Sequence, residues 1–168
     1  DEPPLALRLM RVTQMDAALL KDSCKYSELS NLLGLRLEPE KFEIFNLGLK
    51  TGDSLKIKGK ISNDADEFSI NLGSKSSDLA FHFNPRFNES VIVCNSRCSN
   101  AWEAEHRDNH LCFSRGSSIK MTIEMLEDKF QVKLPDGHEV HFPNRHCYSK
   151  ISYMSVKGGF RVTSFKLD

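Results

Sequence analysis

Ser54-Leu-Lys-Ile-Lys-Gly-Lys-Ile61 decides the fold class. Aliphatic side chains alternate with lysine, the two-residue period of a strand with one buried face. The period continues on both sides. Phe42-Glu-Ile-Phe-Asn-Leu47 precedes it across a turn at residues 50–53. Phe68-Ser-Ile-Asn-Leu72, Leu79-Ala-Phe-His-Phe-Asn84 and Val91-Ile-Val-Cys94 follow, then residues 119–125, 130–134, 140–142, 151–156 and 160–165. Pro135-Asp136-Gly137 and Gly158-Gly159 mark turns between the later members. About eleven short strands at this spacing, with no helical stretch among them, predict an all-β antiparallel sandwich or barrel rather than a βαβ fold.

Residues 1–40 read differently and are expected to form an N-terminal extension to a domain spanning 41–168. Thr13 followed by Asp16 resembles a helix start, and Met15, Leu19, Tyr26, Leu29 and Leu33 recur at helical spacing. Gly34 would close such a helix and Pro39 would end the region. A lone amphipathic helix is marginal in water, so this one would have to dock.

The 168 residues carry 23 basic and 23 acidic side chains, so the basic excess of a general nucleic-acid binder is missing. The zero divides into five basic against seven acidic residues over 1–40, and eighteen against sixteen beyond. No apolar run is long enough for a membrane span, so no membrane insertion is expected. The five cysteines, Cys24, Cys94, Cys98, Cys112 and Cys147, fit neither a disulfide framework nor zinc-finger spacing. They read as free thiols of a reducing compartment, and Leu5 to Met10, broken by Arg8, does not read as a secretory signal. A cytoplasmic location is expected, with no cofactor and no metal.

The chemistry lies on a polar strand face. In His82-Phe-Asn-Pro-Arg-Phe87, alternation sends Phe81, Phe83 and Phe87 to the core and His82, Asn84 and Arg86 to the other side. Pro85 marks a strand end or edge. Asn95 ends the next strand, and Trp102-Glu-Ala-Glu-His-Arg107 follows, with Glu105 and Arg107 on one face. This set combines hydrogen-bonding groups with one aromatic plate. A sugar offers hydroxyls that donate and accept, and a C–H face that lies flat on an indole. Arg86, Glu105 and Arg107 would form a preorganising ion-pair lattice. Taken singly, each polar residue also fits a solvated sheet face, and the sole Trp also fits buried packing.

His82-x-Asn84-Pro-Arg86, Val93-x-Asn95 and Trp102-x-x-Glu105-x-Arg107 resemble the signature of the galectins. Phe68-Ser-Ile-Asn-Leu-Gly73, Val132-Lys-Leu-Pro-Asp-Gly-His138 and Phe142-Pro-Asn-Arg145 are similar too, so the resemblance covers residues 41–168. It is closest to the small single-domain galectins that form dimers. It implies a jelly-roll sandwich of two antiparallel sheets and β-galactoside binding without catalysis. His82, Asn84 and Arg86 would bond the axial 4-hydroxyl and ring oxygen of galactose, and Asn95 and Glu105 its 6-hydroxyl. Trp102 would stack on the apolar face. Arg86, Glu105 and Arg107 would reach the adjoining glucose or N-acetylglucosamine. The implied partners are galactose-terminated glycans on glycoproteins and glycolipids, crosslinked by a homodimer built around residues 42–47 and 160–167. Export without a signal peptide is implied as well, with oxidation of Cys98 inactivating the lectin outside the cell.

Glu103 departs from the Gly common after the Trp, and residues 96–100 lack the Gly or acid often found there. If Glu103 or residues 1–40 closed the site, the chain would be a galectin-fold interaction module with reduced or lost sugar binding. Two catalytic readings compete less well. Glu103 and Glu105 would have to flank a glycosidic bond. Cys112 follows His110, but nothing in the sequence orients that imidazole.

Overall fold

A computed structural model of the chain describes residues 14–16 and 42–168. Its strands form two sheets. The larger contains β1 (Gln14–Asp16), β2 (Phe42–Lys50), β4 (Phe68–Lys75), β5 (Asp78–Arg86), β6 (Val91–Cys98), β7 (Ala101–Trp102), β8 (His106–Asp108) and β12 (Lys150–Gly158). Their order is β1-β2-β12-β4-β5-β6-β7, with β8 also against β6. The smaller contains β3 (Ser54–Ile61), β9 (Ser118–Met125), β10 (Lys129–Lys133), β11 (Glu139–Pro143) and β13 (Phe160–Leu167), in the order β11-β10-β9-β3-β13. The chain crosses between the sheets repeatedly, as a jelly roll does, and among the described residues every strand pairing but β1–β2 is antiparallel.

The lysine-alternating stretch is β3. It buries Leu55, Ile57 and Ile61 and turns Lys56, Lys58 and Lys60 to solvent. Phenylalanines close the space between the sheets. Phe81 stacks on Phe130 and Phe142 of the facing sheet at centroid distances of 5.2 and 5.5 Å, and Phe68 on Phe160 at 4.8 Å. Aromatic pairs of this kind add about 0.5–1.5 kcal/mol each beyond area burial.

The helix start expected at Thr13 lies outside the described residues, apart from Gln14–Asp16. Gln14–Asp16 are β1, parallel to Glu43, Ile44 and Phe45 of β2. The rest of the expected helix lies outside the described residues. Three short strands, β1, β7 and β8, escape the periodicity because two or three residues show no period.

Candidate functional site

β5 runs through the middle of the larger sheet. It carries His82, Asn84 and Arg86 on the face opposite Phe81 and Phe83, as alternation requires. Pro85, next to the last residue of β5, therefore marks a strand end, on an interior strand rather than an edge. The Ile70–Phe83 register sets Phe68 opposite Pro85, which has no N–H to give. Asn84 Nδ2 donates to the Phe68 carbonyl at 2.8 Å in its place. This bond fixes the Asn84 side chain, whose Oδ1 accepts from Arg86 Nε at 2.8 Å. One backbone defect thus aligns two site residues.

His82 is held from behind. Asn71 Nδ2 donates to Ser69 Oγ and Ser155 Oγ, both at 3.1 Å, and its Oδ1 lies 2.5 Å from His82 Nδ1. Asn71 in this orientation can only accept there, so His82 carries its proton on Nδ1 and leaves Nε2 as an acceptor. Burial, and then the nearby Arg86 guanidinium, push its pKa down to about 4. The imidazole is neutral at pH 7, and Nε2 seeks a donor such as a hydroxyl.

Trp102 is 49% exposed, which decides against a packing role for the sole indole. It sits on a tight hairpin. Ser99 and Asn100 both have positive φ, at 48° and 67°, as a two-residue turn between paired Cys98 and Ala101 requires. Arg97 lies over the indole at 5.1 Å, and the His82 ring is 4.6 Å away.

The segment after Trp102 is pinned from outside. Asn95 Nδ2 donates to the Glu103 carbonyl at 3.0 Å, and Arg145 Nη2 to the Ala104 carbonyl at 2.7 Å. Glu103 Oε1 accepts from Ser96 Oγ at 2.7 Å and lies 2.5 Å from His146 Nε2. The His146 and then the Ser96 hydrogen bonds hold its carboxyl below the usual range. The residue in place of glycine therefore anchors the loop through its carboxylate. Such a carboxylate does not suit a general acid.

Beyond Asn84 the charges form a closed ring. Arg86 Nη1 donates to Glu89 Oε2 at 3.1 Å, and Arg107 Nη1 to Glu89 Oε1 at 3.3 Å. Arg107 Nε donates to Glu105 Oε2 at 2.9 Å, and Arg86 Nη2 faces Glu105 Oε1 at 3.8 Å. The bonds from Arg86 and then Arg107 lower the Glu89 pKa, and those to Glu105 and Glu89 raise that of Arg107. Glu67 adds a further carboxylate 3.8 Å from Arg86 Nε.

An open cleft of about 360 Å³ is lined by Glu67, His82, Asn84, Arg86, Asn95, Trp102, Glu103 and Glu105 with Val93. Arg107 borders it through the ring. All seven expected residues are thus brought together. The sequence reading missed Asn71, Glu67, Glu89, Ser96 and His146, and gave Arg145 no role. Only Glu89, three residues beyond Arg86, had a local signal; the others are tertiary neighbours. The structure also corrects the reading of His110, since the Asp136 carboxylate orients its ring. Burial and then Asp136 push the neighbouring Cys112 thiol up, away from what a nucleophile needs.

The sequence model of the galactoside-binding lectins matches residues 40–167. Human Galectin-2 is 54% identical over 125 residues, covering 74% of this chain and 95% of its own. The crystal structure of chicken Galectin 2 is similar at 66% identity and a TM-score of 0.75, covering 76% of this chain and 98% of its own. CG-16, a homodimeric agglutinin from chicken liver, is similar at 36% identity and a TM-score of 0.73, covering 77% and 100%. A family match over three quarters of the chain, on a jelly roll carrying all seven signature residues around one cleft, makes this chain a member of the galactoside-binding lectins, the galectins.

Proposed function

We propose that this chain binds terminal β-galactosides of the lactose and N-acetyllactosamine type, without catalysis, on glycoproteins and glycolipids. The observation that carries this reading is the pre-tied cleft. His82, Asn84 and Arg86 are held by Asn71, the Phe68 carbonyl and the charge ring before any ligand arrives, beside an exposed indole. An axial 4-hydroxyl would donate to His82 Nε2 and accept from the Arg86 guanidinium. An equatorial one would leave both unsatisfied, at a cost of about 1–3 kcal/mol per group. Asn95 and Glu105 would hold the 6-hydroxyl, Trp102 the apolar face, and Arg86, Glu105 and Arg107 the second sugar. Preorganisation limits the ordering cost, yet a shallow site on a small ligand predicts affinity on the order of micromolar to millimolar.

Crosslinking needs two sites, and we propose a homodimer as the means, supported by the homodimeric relative from chicken liver. β13 is an outer strand of its sheet, while the outer edge of β2 is met by β1 along residues 43–45. A cytoplasmic origin with export lacking a signal peptide is also proposed, in keeping with free Cys94, Cys98, Cys112 and Cys147. Retention on immobilised lactose, with elution by free lactose but not by mannose, tests the lectin reading. A folded protein that passes straight through the column refutes it.

A further inference from the structure

Away from the sugar cleft, the loop after β8 meets the turn between β10 and β11 in a reciprocal arrangement. Asp108 Oδ1 accepts from the His110 amide at 2.9 Å, and its Oδ2 lies 2.9 Å from His138 Nε2. Asp136 Oδ1 accepts from the His138 amide at 3.0 Å, and its Oδ2 meets His110 Nε2. Each aspartate thus fixes the backbone of one histidine and the ring of the other. The two imidazoles lie face to face, with centroids 3.9 Å apart and planes at 21°. Gly137, at φ 89°, permits the turn that presents Asp136. Cys112 enters the same corner, partly buried.

We propose that His110, Cys112 and Asp136 bind a divalent cation of borderline softness, Zn²⁺ foremost. An imidazole nitrogen, a thiol sulfur and a carboxylate oxygen from these residues all lie within 4.8 Å of one another. Donors around a tetrahedral zinc ion stand roughly 3.5 Å apart, given bonds of about 2.0–2.3 Å. Only small side-chain rotations separate the two geometries. The ion would enter between His110 Nε2 and Asp136 Oδ2, and the Nε2 proton would pass through solvent to Nδ1, so that a neutral imidazole ligates through Nε2. The Cys112 Sγ–H proton would leave to solvent as the Zn–S bond forms, with no change of oxidation state. Nitrogen and sulfur donors favour zinc over calcium or magnesium, and three protein ligands leave one position for solvent. Asp108 and His138 act one step out, holding the His110 backbone and ring. None of the three ligands lines the sugar cleft.

The test is zinc titration of the full chain by calorimetry under non-thiol reductant, paired with cobalt substitution read by absorbance. One ion per chain is expected, with Kd on the order of 1–100 µM. A near-ultraviolet thiolate-to-cobalt band should appear and vanish in Cys112→Ser. Asp136→Asn and His110→Gln should each weaken zinc about tenfold or more. Affinity should rise about tenfold per pH unit from 7.5 to 8.5, since the thiol must lose its proton, and Cys112→Ser should flatten that slope. Cooperative thermal unfolding of each variant checks that it is folded. Absence of binding at millimolar zinc overturns the proposal. So does affinity unchanged in Cys112→Ser and Asp136→Asn, which would place the ion on another thiol such as Cys98 or Cys147.

Discussion

Asn71→Ala isolates the residue that sets the protonation geometry of His82. It removes two donated bonds, to Ser69 and Ser155, and the acceptor facing His82 Nδ1. At about 1 kcal/mol net per bond the loss would reach roughly 3 kcal/mol. A cleft of about 70 Å³, lined by Asn71, His82, Ser69, Ser155 and Tyr153, adjoins the position, so water can replace part of what is lost. We expect a net destabilisation of about 1–2 kcal/mol, a fall in Tm of roughly 3–10 °C. Sugar affinity should fall by about 5- to 30-fold, the worth of one directed hydrogen bond of 1–2 kcal/mol. Asn71→Asp is the sharper partner. A carboxylate beside Nδ1 would raise the His82 pKa, so the ring would protonate and turn Nε2 from acceptor to donor as pH falls. Lactose binding by Asn71→Asp should then decline between about pH 7 and pH 5, while wild type stays flat, its His82 pKa being about 4. Isothermal titration with lactose over that pH range, with thermal unfolding in parallel, reads both effects. Wild-type affinity in folded Asn71→Ala, or a flat profile in Asn71→Asp, would refute the account of His82 as an oriented neutral acceptor.

Because the folded pKa of His82 lies below its unfolded value of 6.5, the unfolded chain binds a proton that the native state refuses. The His82 contribution to stability is therefore complete above pH 6.5 and lost as pH falls toward 4, by about 3 kcal/mol at most, measurable by urea unfolding at pH 7 and pH 4.5. Trp102→Ala should abolish retention on lactose yet leave cooperative unfolding intact, at a cost of about 1–2 kcal/mol for the buried half of the indole and its contacts with Arg97 and His82. Glu89→Gln opens the charge ring at a surface position, so stability should move by less than about 1 kcal/mol. Its affinity for N-acetyllactosamine should drop about fivefold while that for galactose holds, the two compared by titration. Removing residues 1–40 should raise the dimer fraction, because β1 occupies the edge of β2 along residues 43–45; sedimentation of both chain lengths reads this directly.

Sequence alone determined an all-β antiparallel fold and nominated the residues of the candidate site. Alternation is a local property: a two-residue period puts Lys56 outside and Ile57 inside whatever else the chain does, and it places His82, Asn84 and Arg86 on one face. The spacing of those three with Asn95, Trp102, Glu105 and Arg107 carried the rest of the site, and the structure gathers all seven. What periodicity leaves open is the identity of neighbours distant in the chain. That Asn71 on β4 sets the His82 tautomer depends on the β4–β5 register. Arg145 and His146 reach Asn95, Ser96 and Glu103 across about fifty residues. Whether the lone indole packed or projected was undecidable from composition, and the 99–100 hairpin turn settled it. The pairing of Gln14–Asp16 with Glu43–Phe45 of β2 likewise joins segments distant in the chain, beyond the reach of a local signal. Pairing partners are chosen by closure of the whole sheet, and only the tertiary structure expresses that choice.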